Sequence, residues 1–220
     1  MFLLYNDCAG RKIRQGENLP KISEKQRDAR REQILAAAWK CFHNRGIHAT
    51  SMEQIIREAG LSAGAVYLYF KGKEELILSA IAWQMTAVRE LVLPVLEKDE
   101  AANPADFIHA VTESISRFTS RMGFDLNAVI LMCWSEAQSN PKVKELIRGY
   151  QKGYRKSLSK LVERWQKKGH IEAKADADDV AKAILSLLLG FIAQSALLGD
   201  VKPRSLARGI GALMAGPHSK

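Results

Sequence analysis

Between Thr50 and Lys73 the chain reads TSMEQIIREAGLSAGAVYLYFKGK, and few folds accommodate that order of signals. Thr50 and Glu53 have the Ser/Thr-x-x-Glu spacing of a capping box, which satisfies free amides at a helix start. Met52, Ile55, Ile56 and Ala59 follow at i, i+3, i+4 and i+7 and give that helix one apolar face. Gly60 supplies the left-handed residue that ends it. Leu61 fills the turn, and Ser62 caps a second short helix over Ala63 to Tyr69, whose Val66 and Phe70 point inward. Two helices joined by a glycine-containing turn of about three residues make a helix-turn-helix. A plain αα-hairpin has the same outline, but the residues left outside favour a nucleic acid. Tyr67, Tyr69 and Lys73, with the amides at Ala63 and Gly64, are groups that meet phosphates.

The flanking sequence agrees. A helix is predicted from about Glu24 to Asn44, with Ile34, Ala38, Cys41 and Phe42 on one face and Gly46 as its C-terminal cap. The net charge of +9 is uneven: residues 1–73 hold 13 Lys/Arg against 7 Asp/Glu, and residues 74–220 hold 20 against 17. That places most of the excess beside the motif, as a polyanion partner requires. Residues 1–22, with Gly10, Gly16, Pro20 and several Lys/Arg, read as a flexible basic arm, either a simple tail or a minor-groove contact.

The run AxxLFxxxGxxxTSxxxIxxxAGxSxGxxYxYFxxKEEL resembles the N-terminal domain of TetR-family (tetracycline-repressor-like) transcriptional regulators. The match covers Ala38, Phe42, Gly46, Thr50, Ser51, Ile55, Ala59, Gly60, Ser62, Gly64, Tyr67, Tyr69, Phe70, Lys73, Glu74, Glu75 and Leu76. The resemblance implies that Thr50, Gly64, Tyr67, Tyr69 and Lys73 lie near DNA phosphates. Ser51, Ser62, Ala63, Ala65 and Leu68 complete the expected DNA surface. Where the family often carries Lys or Arg at the first turn of the reading helix, this chain has Ala63. Where it often carries His, Asn or Arg between the tyrosines, this chain has Leu68. Such side chains touch thymine methyls but cannot hydrogen-bond purine edges. Few base-edge contacts are therefore expected, with DNA shape or the basic arm supplying specificity.

An all-α fold of about nine helices is expected: the arm over 1–22, the helix-turn-helix domain over 23–73, and a ligand-binding and dimerisation domain over 74–220. Asn103-Pro104, Asn140-Pro141 and Lys202-Pro203 mark helix starts, and Pro94 is expected to end or kink the helix that begins near Lys73. The resemblance implies a homodimer through the last two helices. The helix at about 176–198 carries Val180, Ile184, Leu187, Leu188, Phe191 and Ser195 on one stripe, broadened by Leu185 and Ile192, and is expected to be buried nearly all round. The helix at about 203–214 adds Leu206, Ile210 and Leu213, with Ala207 and Gly211 allowing close approach. Ordinary intrachain core would explain the same pattern.

A hollow domain is likewise implied by the resemblance. Trp83, Phe107, Val111, Phe118, Met122, Ile130, Met132, Cys133, Trp134 and Tyr154 are candidates to line it. Plain core is the alternative for each, while together they suit a small apolar or aromatic effector. Glu136, just beyond Trp134, is a candidate partner for a cationic or hydroxylated group, or else a solvated residue. Lys142 to Lys168 holds ten Lys/Arg and two acids, read as a solvated face rather than a second nucleic-acid surface.

No nucleophile elbow, P-loop, GxGxxG or paired catalytic carboxylates occur, so no enzyme is expected. No cofactor and no metal are expected either: the three cysteines, Cys8, Cys41 and Cys133, are widely spaced, and the histidines lack ligand spacing. The most apolar stretch, Ala183 to Leu198, falls short of the ~20 residues that span a bilayer, so no membrane partner is expected. The reading is a cytoplasmic, dimeric regulator, a repressor by family habit, on a pseudo-palindromic operator in double-stranded DNA and released by a small effector. A DNA organiser or occlusion factor of the same fold, without an effector, is the alternative.

Overall fold

The computed structural model describes residues 5–6, 12–13, 23–97, 103–122 and 125–215. Among them are nine helices: α1 (Glu24–Arg45), α2 (Met52–Ala59), α3 (Ala63–Tyr67), α4 (Lys73–Glu97), α5 (Pro104–Met122), α6 (Leu126–Ser139), α7 (Pro141–Lys167), α8 (Ala177–Leu197) and α9 (Pro203–Ala215). In the arm, Tyr5–Asn6 pairs antiparallel with Lys12–Ile13. The rest of the arm, Cys8 included, lies outside the described residues.

The helix boundaries follow from capping chemistry. Ser23 accepts from the Gln26 amide and Gln26 returns the bond to the Ser23 amide, so α1 starts with a full capping box. Gly46 ends it at φ 82°, a backbone that favours glycine. The Asn103 side chain accepts from the Asp106 amide, and Asn140 accepts from Lys142 and Val143, so both expected Asn-Pro starts are present. The turn at Lys202 is closed by its hydrogen bonds with Ser205.

One expectation is narrowed and another corrected. Of the two outcomes expected at Pro94, an end to the helix is excluded, since α4 runs on to Glu97. The proline ring is exposed while Val92 and Leu96 are buried, so core packing holds the flanks and water can reach the one carbonyl left without its donor. The capping box of α2 is formed by Ser51 and Gln54 rather than Thr50 and Glu53. Thr50 is displaced from it because its hydroxyl is buried and donates to Gly46 O at 2.8 Å, with Cys41 O at 3.3 Å.

One continuous apolar core runs from the N-terminal helices to the last. Trp39 and Phe42 of α1 meet edge to face, and Trp39 Nε1 donates to Ala80 O, tying α1 to α4. Helix α4 thus directs one face to α1 and continues against α5 and α7. Tyr150 and Tyr154 of α7 donate to Ala82 O and Met85 O of α4, and Arg164 donates to Leu96 O, so α7 is pinned along the length of α4.

Candidate nucleic-acid interface and interior cavity

Helix α2 is held against α1 by Gln33 Nε2, which donates to Ala59 O at 2.8 Å. Gly60, at φ 65°, makes the left-handed turn, and Ser62 accepts from the Ala65 amide to start α3. Val66 of α3 and Phe70 beyond it are fully buried as expected, so most of the rest of α3 is turned outward. Ser62, Ala63 and Gly64 are exposed, Ala65 is half-buried, and Tyr67 and Leu68 stand out at 48% and 83% exposure. The regular helix ends at Tyr67, two residues earlier than expected, and Leu68 and Tyr69 continue as a turn. Tyr69 is half-buried and packs against the core.

Two expected contact residues have intramolecular work. Thr50 is an inside hydroxyl, and Ser51 is the exposed one at that place. Lys73 Nζ donates to His48 O at 2.8 Å and so fastens the α1–α2 loop to the start of α4. Leu68, at the C-terminal cap of α3, is a large exposed apolar side chain, and no residue from Ala63 to Ala65 carries a hydrogen-bonding side chain. The surface therefore offers hydroxyls, amides and methyl-sized apolar groups, a set suited to phosphates and thymine methyls.

The loop also reaches across to the C-terminal helices. His48 Nε2 lies 3.1 Å from Glu136 Oε2, with His48 exposed and Glu136 buried on α6. Oε1 of the same carboxylate accepts from Asn140 Nδ2. Oε2 accepts no hydrogen bond among the described residues. Beside it, Lys142 of α7 pairs with Glu74 of α4 at 2.9 Å. The expectation that Glu136 faces an effector is thereby corrected. The carboxylate points at the reading head instead, and nothing in the sequence spacing of 48 and 136 signals that.

Inside the C-terminal helices is an apolar cavity of about 60 Å³. Phe107, Val111, Ile130, Trp134 and Tyr154 line it, as expected, with Val88, Gln151, Leu188 and Ile192 among the residues the pattern did not single out. Trp83 and Phe118 are half-buried core, and neither they, Met132 nor Cys133 lines the cavity. The Met122 side chain lies outside the described residues. Burial pushes the Cys133 thiol up to about 12 and the Tyr154 hydroxyl also to about 12. Two larger clefts adjoin: one of about 760 Å³ between α4 and α7, and one of about 550 Å³ among α6, α7 and α8.

Asp176, Asp178 and Asp179 place carboxylate oxygens within 4.8 Å of one another. Their chemistry is already assigned. Asp176 caps α8 by accepting from the Asp178 and Asp179 amides. The Arg155 guanidinium beside Asp178 holds its carboxyl down at about 2, with help from Lys182.

Within one chain, α8 is buried on one side only. Phe191 and Ile184 face the core, but Leu187 is exposed, as are Leu197 and Leu198 at its end. On α9, Ile210 is buried while Leu213 and Met214 are exposed, Leu213 at 85%. By length and composition alone, α4 and α8 each suffice to cross a bilayer, yet α4 directs much of its apolar surface to the intrachain core.

Two family models match different parts of the chain. Residues 34–80 match the model of bacterial regulatory proteins of the tetR family, and residues 109–215 match the C-terminal region of BetI-type transcriptional repressors. The HTH-type transcriptional regulator LmrA of Bacillus subtilis is 28% identical over 75% of this chain and 88% of its own length. The structure of Salmonella enterica GusR superposes with a TM-score of 0.69 at 25% identity, covering 89% of this chain and 99% of that one. FadR from Bacillus subtilis in complex with stearoyl-CoA superposes at 0.66 with 22% identity, covering 84% and 97%. With the helix-turn-helix at one end and the repressor-type helices at the other, the chain belongs to the TetR family of DNA-binding transcriptional regulators.

Proposed function

We propose that the protein is a cytoplasmic repressor that binds a pseudo-palindromic operator as a homodimer and is released by a small effector with a large apolar part. The observation that carries this is the outward face of α3. Tyr67, Leu68 and the amides of Ser62 to Gly64 stand in solvent on a rigid scaffold, with nothing of their own chain to meet. Residues 23–73 form the DNA-binding unit and residues 74–220 the effector-binding and dimerisation unit. Ser51, Ser62, Gly64, Tyr67, Tyr69 and Lys73 contact phosphates, and Ala63, Ala65 and Leu68 face base edges.

The exposed apolar side chains Leu187, Leu197 and Leu198 of α8 and its end, and Leu213 and Met214 of α9, support a dimer through these helices, because a monomer gains nothing from leaving so much apolar surface in water. Two reading heads roughly 34 Å apart, or a multiple of it, then fit successive turns of one DNA face. Effector control is supported by the interior cavity and by the FadR structure, solved with stearoyl-CoA. Occupancy has to move α6, since Ile130 and Trp134 line the cavity, and α6 carries Glu136. Through Glu136 and His48 the motion reaches the loop that sets α2 and α3.

The test is recovery of fragmented genomic DNA by the purified protein at ~150 mM salt, where phosphate contacts alone bind weakly. A few enriched fragments sharing a palindrome support the reading. Diffuse recovery with no shared motif favours an organiser of the same fold without an effector.

A further inference from the structure

The cavity and the cleft beside it carry information about the effector's chemistry, and this step rests on the effector-released reading above. Trp134, Gln151 and Leu189 line both the interior cavity of about 60 Å³ and the cleft of about 550 Å³ among α6, α7 and α8. These three side chains are therefore the wall between inside and outside. At that wall the Gln151 Oε1 is buried without a hydrogen-bond partner, a polar atom that side-chain packing leaves unanswered. The interior beyond it is almost wholly aliphatic and aromatic.

The outer cleft differs in charge. Its lining includes Lys144 and Arg148 and no carboxylate. Arg148 gives Nη1 to Glu145 Oε2 at 2.8 Å, which occupies one donor and leaves the other edge of the guanidinium. Lys144 is exposed and takes part in no ion pair among the described residues. A cationic mouth thus opens onto an apolar interior through a three-residue wall.

We infer that the effector is an anionic amphiphile, with a carboxylate or phosphate head at Lys144 and Arg148. Its apolar chain passes between Trp134, Gln151 and Leu189 into the interior. An anion taken wholly inside would lose its hydration with nothing to replace it. A purely apolar molecule would leave the cationic mouth unused. A chain that threads the wall has to displace Trp134, and it thereby acts on the helix that carries Glu136.

Titration calorimetry of the full chain, without DNA and below micelle-forming concentrations, tests this with four twelve-carbon probes. They are dodecanoate, dodecyl phosphate, dodecanol and dodecyltrimethylammonium. Both anions are expected to bind about tenfold or more tighter than dodecanol, a factor equal to ~1.4 kcal/mol. The K144A/R148A variant should lose that advantage while its affinity for dodecanol stays the same. Leu189→Trp, which thickens the wall, should weaken every chain that binds without shifting the thermal midpoint. Equal binding of anion and alcohol, preference for the cation, or no binding of any probe overturns the inference. Genomic-fragment recovery is a separate readout. A protein that retains a palindromic site but fails the calorimetry refutes the amphiphile alone, and one that retains no site refutes the regulator reading.

Discussion

His48 Nε2 and Glu136 Oε2 are 3.1 Å apart, although one residue belongs to the loop before the reading motif and the other to the wall helix of the cavity. The carboxylate is buried and the imidazole is exposed. Removing the imidazole leaves the buried carboxyl group without its neighbour, whereas replacing both members does not. His48→Ala is accordingly expected to harm operator affinity and thermal stability more than H48A combined with Glu136→Gln. The expected coupling is roughly 0.5–1 kcal/mol, in the range for contacting but partly solvated groups. Additive effects across the double-mutant cycle would rule out communication through this pair.

Thr50 should behave as a stability residue. Its hydroxyl is buried between Gly46 O and Cys41 O. Thr50→Val keeps the shape and strands those carbonyls, at about 1–3 kcal/mol, while Thr50→Ser is expected to retain most of the stability. Chemical denaturation distinguishes this from a direct phosphate contact, which would leave the folding midpoint of the valine variant unmoved.

Tyr67 is expected to act on DNA alone. Its ring is half exposed and its hydroxyl has no partner among the described residues. Tyr67→Phe should weaken operator and random DNA alike and leave the melting temperature unchanged, as loss of a phosphate contact does. Lys73→Met should lower both DNA affinity and stability, because Lys73 also fastens the α1–α2 loop through His48 O. Binding isotherms at several salt concentrations check both: the lysine variant should show a salt slope shallower by about one.

The Cys133 thiol, pushed up to about 12 by burial, should resist iodoacetamide at pH 8–9 in the folded protein. Its folded value lies above its unfolded one. The stability this group contributes is therefore fully present below the unfolded value near 9 and is lost as pH rises toward 12. Mass spectrometry of the Cys133 peptide should find alkylation only after denaturant is added. Rapid labelling in native buffer would contradict the buried placement.

Leu213 and Leu197 are exposed in the single chain at 85% and 74%. Leu213→Glu with Leu197→Asp should therefore leave the folded monomer intact while sedimentation shifts from dimer to monomer and operator affinity collapses. A double variant that remains dimeric would place the interface elsewhere.

Much of the reading head was legible because its signals are local. Gly60, Ser62 and the buried Val66 and Phe70 act within a few residues of one another, so periodicity and capping reveal them. The swap from Thr50–Glu53 to Ser51–Gln54 went unseen because both pairs have the same spacing, and only burial of Thr50 against α1 decides between them. That α4 continues past Pro94 was equally hidden, since Val92 and Leu96 hold it on both sides only through packing. The cavity was half legible. Large side chains such as Phe107 and Trp134 advertise an interior, but Gln151, Leu188 and Ile192 join it only through the packing of α7 and α8. The Glu136–His48 contact joins residues far apart in the chain and leaves no periodic trace.

An interior of about 60 Å³ is well below the ~300 Å³ that drug-sized molecules need. Effector can therefore bind only when the wall has shifted, and the apparent dissociation constant is the intrinsic one divided by the fraction of molecules already open. Substitutions that loosen the packing behind Trp134 would raise that fraction without touching the ligand. They would move the concentration at which the switch responds and leave chemical selectivity with Lys144 and Arg148. Sensitivity and selectivity thus reside on different side chains, so selection can retune the threshold of such a sensor without changing what it senses.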